Sequence, residues 1–161
     1  MNARALIPLL AVIAIAWLAL LMAAPVGLAQ ARWQTLAVAV YEIGGRICHQ
    51  RPERSFHLDG VQLPVCARCF GLYVSGAIGL TFAWLGRGKL SVASTRAALA
   101  LSALPIAITV AGERLGAMAP SNVSRMMTGL PLGFVAGLVI VATLRASHGA
   151  HRLAAAKGLQ Q

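Results

Sequence analysis

Acidic residues are scarce in this chain: four Asp and Glu stand against fourteen Lys and Arg in 161 residues. Charge of either sign is thin as well, at 11%, against roughly 25% in soluble proteins. Aromatics make up only 6%, and there are three cysteines. Internal repeats and low-complexity tracts are absent, as are a glycine-rich nucleotide loop, a Ser/His/Asp set and paired carboxylates. Each shortage excludes something. Too few aromatics interleave with the basic residues for a nucleic-acid surface built on stacking, so no nucleic-acid partner is expected. Three cysteines, an odd count, do not make a simple disulfide framework. What remains is apolar: 58% hydrophobic residues and a mean hydropathy of +0.75, with a formal charge of +10 and a pI near 11.3. A disordered chain needs low hydrophobicity, and a water-soluble enzyme needs more charge. The composition is that of a membrane protein.

The charge-free intervals place the spans. Residues 5–31 hold no Asp, Glu, Lys, Arg or His over 27 positions, 69–86 over 18, 97–112 over 16 and 126–144 over 19. About 20 apolar residues cross a hydrocarbon core roughly 30 Å thick. The third interval reaches across if Arg96 and Arg114 snorkel to opposite interfaces. Four transmembrane helices are predicted, near 5–27, 66–86, 95–115 and 125–145. The opening MNAR with Ala29-Gln30-Ala31 also resembles a secretory signal and its cleavage site. An apolar stretch from 5 to 25 exceeds the usual about 7–15 residues, which favours an uncleaved first helix.

Between the first two spans, RWQTLAVAVYEIGGRI places Leu36, Val40, Ile43 and Ile47 on one helical face. This predicts an amphipathic interfacial helix, with Trp33 at headgroup level. RPERSFHLDGVQLP then carries the Pro, Gly and Asp of turns and reads as an ordered surface loop. The expected fold is thus all-α. One transmembrane domain covers 1–147, its Cys/His loop region is 46–69, and a mobile basic tail covers 148–161. Gly71, Ser75 and Gly79 in the second span, and Gly129, Gly133 and Gly137 in the fourth, repeat small residues every four positions and predict close helix packing in lipid. Pro105 is expected to kink the third span.

Four spans put both chain ends and the 87–95 loop on one side, and 32–68 with 116–124 on the other. Lys and Arg divide seven against seven, but Glu42, Glu53, Asp59 and Glu113 all fall on the second side. Acids count little toward orientation; the expected arrangement has cytoplasmic termini and an extracytoplasmic loop in the cell membrane.

All three cysteines share that second side. Cys66 and Cys69 form a C-x-x-C pair at the start of a helix, where free N–H groups and the dipole lower thiol pKa. With Cys48-His49 the set becomes Cys3His, a tetrahedral zinc composition. His57 competes as fourth ligand, because neighbouring side chains on a helix diverge by about 100° and strain a site using both Cys48 and His49. Iron and copper share the same donors. Glu113, an acid near a span end, is a site candidate by the expense of placing it there, or else a salt-bridge partner of Arg114, Arg125 or a loop arginine. Arg54, Ser55, Arg68, Glu113, Asn122 and Arg125 together suggest a pocket for an anionic group such as a lipid phosphate. Two other classes compete: a thiol–disulfide redox protein using Cys66 and Cys69, and a small transporter or ion-handling homo-oligomer with Glu113 near the permeation route and Pro105 as a flexing point. No enzymatic reaction is assigned.

CHQRPERSF (48–56), LPVCARCFGLY (63–73) and SNVSRMMTGLPLGFVAG (121–137) together resemble the domain-of-unknown-function family 2085, small prokaryotic predicted membrane proteins. The resemblance covers about residues 40–140. It implies Cys48, His49, Arg54, Ser55, Cys66, Arg68, Cys69, Asn122 and Arg125 as the functional cluster, and favours His49 over His57 as donor. An Asp-Gly pair usual in the family's third span has only Gly112-Glu113 nearby here. The resemblance implies no activity.

Overall fold

A computed structural model of the chain describes residues 3–86 and 92–158. Helix α1 covers Ala3–Leu28, and α2 covers Gln34–Ile47. A 3-10 turn at Pro52–Arg54 and a short hairpin, β1 His57–Leu58 with β2 Val61–Gln62, lead to α3, Ala67–Leu85. Helices α4, Val92–Arg114, and α5, Asn122–Gly158, follow. Four of these helices are long and apolar enough to cross a bilayer, over Ala5–Leu28, Ala67–Leu85, Ala97–Arg114 and Asn122–Ser147. These are the four spans expected from the charge-free intervals, each within a few residues. Helix α4 continues through Pro105 without interruption. The basic stretch after 147 continues α5 as far as Gly158, and the expected tail's 159–161 lie outside the described residues.

The two glycine ridges meet each other. A Cβ on Gly129 would lie 2.5 Å from the Arg68 carbonyl oxygen, and one on Gly137 would lie 2.5 Å from the Gly76 carbonyl oxygen and the Leu80 nitrogen. Gly71 and Gly79 press as tightly on the backbone of Met126 and Phe134, and Gly133 on that of Leu72. Contacts that climb both helices together make α3 and α5 parallel, so α4 must return between their opposite ends. Where hydrocarbon surrounds the helices there is no hydrophobic driving force between them, and such backbone approach supplies the van der Waals contact that replaces it. Arg145 then reaches from α5 to the Trp84 and Gly86 carbonyls, at 3.1 and 3.0 Å, closing the C-terminus of α3.

Helix α1 runs against α3. Ile7 packs with Leu80 and Val141 at one end, whereas Leu21 and Ala24 join Ala37, Val40, Cys48, Val65 and Cys66 at the other. Trp17 stands edge-on to Tyr73, ring centroids 6.3 Å apart. The 29–66 segment, the end of α4 and the start of α5 are thereby gathered at one end of the bundle.

Helix α2 is present as expected, and of the apolar face that its spacing marks only Val40 turns inward. Ala37, Val40 and Gly44 are buried, while Leu36, Ile43 and Ile47 are exposed. Size explains the difference. Ala37 admits α1 closely, since a Cβ at Gly27 would sit 3.3 Å from the Ala37 Cβ, and Gly44 lies against the Pro64 carbonyl. The bulky residues face outward, which costs nothing where the outside is lipid. The loop expected after Cys48 is ordered, and its centre is a hairpin pairing His57 with Gln62 and Leu58 with Val61. Asp59 and Gly60 turn it with φ of 50° and 79°, the left-handed pair that a two-residue type I′ turn requires.

Candidate metal centre and arginine cluster

Cys48 ends α2 in an extended conformation, and Cys66 caps α3 with φ −68° and ψ 160°. The hairpin between them reverses the chain, and Cys69 lies one turn into α3. The result is a group of three sulfurs within 4.8 Å of one another. Cys48 and Cys66 are buried and Cys69 is half-buried. Ions with bonds of about 2.3 Å to tetrahedrally arranged sulfurs hold them about 3.8 Å apart, and three thiols this close could hold one.

The backbone is already arranged around sulfur. The Cys66 N–H donates to Cys48 Sγ at 3.1 Å, and the Gln50 N–H also favours its thiolate. The Cys69 N–H in turn favours the thiolate of Cys66. Hydrogen bonds from the Cys66 thiol, then the Cys69 thiol and these N–H groups, outweigh burial and hold the Cys48 thiol well below its ordinary pKa. The Cys66 thiol is pushed up, first by its bond to Cys48. The three sulfurs therefore share protons as one unit, and the α3 N-terminus adds its positive end of the helix dipole.

The histidines lie elsewhere. Neither His49 nor His57 belongs to the sulfur group among the described residues. His49 is exposed, its Nδ1 accepting the Arg51 N–H at 3.3 Å, and His57 is exposed on β1. His148 and His151 fall where side chains are outside the described residues.

A second cluster forms beside the first, because Arg68 stands between Cys66 and Cys69 in the chain. Glu113, on the last turn of α4, is 5% exposed and meets three arginines. Oε1 accepts from Arg68 at 3.0 Å and from Arg125 Nε at 3.2 Å, and Oε2 pairs with Arg54 at 3.3 Å. Arg125 also donates to Asn122 Oδ1 at 3.0 Å, and Asn122 Nδ2 donates to the Ser55 carbonyl at 2.8 Å. Ser55 is fully buried, its hydroxyl bonded to the Arg51 carbonyl at 2.8 Å. All six residues that the sequence assigned to an anion pocket are thus joined in one network, whose links come from the 3-10 turn, α3, α4 and α5. Of the partners expected for Glu113, Arg125 and a loop arginine are present. Arg114 is exposed and makes no ion pair with it among the described residues.

Two participants escaped the sequence. Gln50 donates from Nε2 to the Tyr41 and Pro64 carbonyls, both at 2.7 Å, and its own carbonyl accepts from Gln62. It locks the end of α2 to the segment entering α3. Its positive φ of 45° leaves no trace in residue type. Thr109 accepts from Arg68 at 3.4 Å; its position four residues before Glu113, on the same helical face, was a usable signal.

Comparison with known proteins comes to the same segment. A family model described as "Predicted membrane protein (DUF2085)" matches residues 48–139, a stretch holding every residue of both clusters. The chain is 29% identical over 110 residues, 68% of each protein, to an uncharacterised protein of Methanocaldococcus jannaschii. It is 37% identical over 95 residues to an uncharacterised protein of Methanothermobacter thermautotrophicus, covering 59% of this chain and 83% of that relative. No solved structure matches the chain.

Proposed function

The chain belongs to the DUF2085 family of predicted membrane proteins, and from that footing we propose that it is a multi-pass membrane protein holding a zinc-type metal ion on Cys48, Cys66 and Cys69. The single observation carrying this reading is the convergence of three thiols, 18 residues apart at the widest step in sequence, within 4.8 Å. The N–H groups aimed at Cys48 and Cys66 support it, since they favour thiolate, the form a metal requires. Binding a divalent ion releases thiol protons and leaves three thiolates with a net charge of about −1, which the α3 dipole offsets.

Three protein donors leave a fourth position for an exogenous ligand, the arrangement of a zinc ion with Lewis-acid capacity. His49 fills it only if the loop after Cys48 rearranges. The metal would clamp the end of α2 to the start of α3, and the adjoining arginine cluster turns the same face toward anionic groups. The side whose bases stand without acids is read as cytoplasmic, which puts both termini there and the metal centre outside, in the cell membrane.

Metal content by mass spectrometry, on full-length protein purified without chelators, tests the reading. About one equivalent is expected in the wild type and a residual trace in Cys48→Ser and Cys69→Ser. Metal-free wild-type protein carrying a disulfide among these cysteines would replace the metal reading with thiol–disulfide exchange.

A further inference from the structure

The arginine cluster is not electrically closed. Arg54, Arg68 and Arg125 bring three positive charges to one carboxylate. Both Glu113 oxygens are engaged, so the surplus of two has no acid left to meet within the cluster. Arg68 Nε is buried and has no hydrogen-bond partner among the described residues. A buried donor without an acceptor is destabilising and rare unless something supplies the missing atom.

Position narrows what that something is. Arg68 lies in the first turn of the Ala67–Leu85 span, Glu113 in the last turn of Ala97–Arg114, and Arg125 in the first turn of Asn122–Ser147. Three spans therefore deliver the cluster to one boundary of the hydrocarbon, the level of the lipid phosphates. Arg54 comes from the loop above and is the most open of the three arginines, with 31% of its side chain exposed against 13% for each of the others. Guanidinium groups recognise phosphate through paired, charge-assisted hydrogen bonds.

The geometry points to a binding site for a phosphate group, with the headgroup of an acidic phospholipid as the source its depth favours. Arg54 is the entry residue, Arg68 and Arg125 carry the uncompensated charge behind it, and Glu113 holds the three guanidiniums together. This builds on the anion-facing reading of the cluster and is independent of the metal on the thiols.

Full-length protein stripped to minimal lipid in detergent is incubated with phosphatidylglycerol, phosphatidylcholine or inorganic phosphate, and bound lipid is counted by native mass spectrometry. Wild-type protein is expected to retain phosphatidylglycerol over phosphatidylcholine by about 25-fold, a factor of about five for each of two uncompensated arginines. In Arg54→Gln the preference should fall about fivefold, with phosphatidylcholine retention unchanged. Inorganic phosphate at millimolar concentration that displaces phosphatidylglycerol and raises the Tm by itself supports the site and assigns it to free phosphate. Equal retention of the two lipids by wild-type protein, with no effect of inorganic phosphate, overturns the proposal without need of a variant. An Arg54→Gln protein with the full preference overturns it too. Metal measured on the same samples separates the two sites: lost lipid preference with metal retained touches only the phosphate site, and the reverse touches only the metal.

Discussion

The amide of Cys66 donates a hydrogen bond to Cys48 Sγ across 3.1 Å, joining the first residue before α3 to the first residue after α2. A thiol has little use for a strong donor, whereas a thiolate gains a charge-assisted bond of about twice the ordinary strength. This contact ties the fold of the loop to the chemistry of the sulfurs, so disturbing either should disturb the other.

Replacing His49 or His57 by Ala should leave metal stoichiometry unchanged within error, while Cys69→Ser should abolish it. The measurement is metal per protein after gel filtration. Loss of the metal in His49→Ala, at unchanged Tm of the metal-free protein, would make His49 a ligand and require the loop to close over the thiols.

Acidification should release the ion. Because thiolate ligands carry no proton and the free thiols do, the metal is favoured at high pH and affinity falls as pH falls. Release should depend on more than one proton, and a chromogenic chelator titrated between neutral and acid pH reads it directly.

Glu113→Gln should destabilise the bundle by about 3–5 kcal/mol, the usual penalty when one member of a buried ionic group is removed. The amide leaves three guanidiniums facing one another with no countercharge. Denaturation in mild detergent, compared with Glu113→Asp, measures it. Unchanged stability of the Gln variant would mean that the three ion pairs contribute nothing net.

Gly133→Leu should cost at least about 1–3 kcal/mol, the range for forcing extra atoms into a packed interior. Its Cβ would enter the Leu72 backbone of α3. Gly76→Ala is the control: the nearest atom to its Cβ is 3.5 Å away, in ordinary contact, and the Tm should barely move. Equal tolerance of both substitutions would show that α3 and α5 pack less closely than described.

Gln50→Ala should lower stability by about 1–3 kcal/mol by leaving the Tyr41 and Pro64 carbonyls without their donor. It should also weaken metal retention, since the Gln50 side chain ties the residues around Cys48 to the segment that carries Cys66. Gln50→Glu separates the effects by keeping the length of the side chain but removing the donor.

Much of this was open to reading from residues alone. The scarcity of charge located all four spans, because the cost of an unpaired charge in hydrocarbon is large enough to leave its mark as empty intervals. Gly71, Ser75 and Gly79, like Gly129, Gly133 and Gly137, announced close packing by spacing, though which ridge met which was not written there. The grouping of Cys48, Cys66 and Cys69, and the joining of Arg54, Ser55, Arg68, Glu113, Asn122 and Arg125, followed from their falling at one membrane face. Apolar spacing in α2 marked the helix and the face that leaves Leu36, Ile43 and Ile47 outward, as an interfacial helix does, but not that Val40 and the small Ala37 and Gly44 would meet the neighbouring segments.

The scarcity of charge and the long apolar intervals of this chain determined by themselves that it is a membrane protein and where its apolar helices lie. Those are one-dimensional consequences of solvation, summed residue by residue. Only the tertiary structure decided that both histidines stand away from the thiols, that Gln50 holds the loop, and that one carboxylate organises three arginines. Such facts depend on directions. A turn at Asp59-Gly60, the pitch of α3 and the backbone contact with α5 orient each side chain, and direction is a property no list of residues contains.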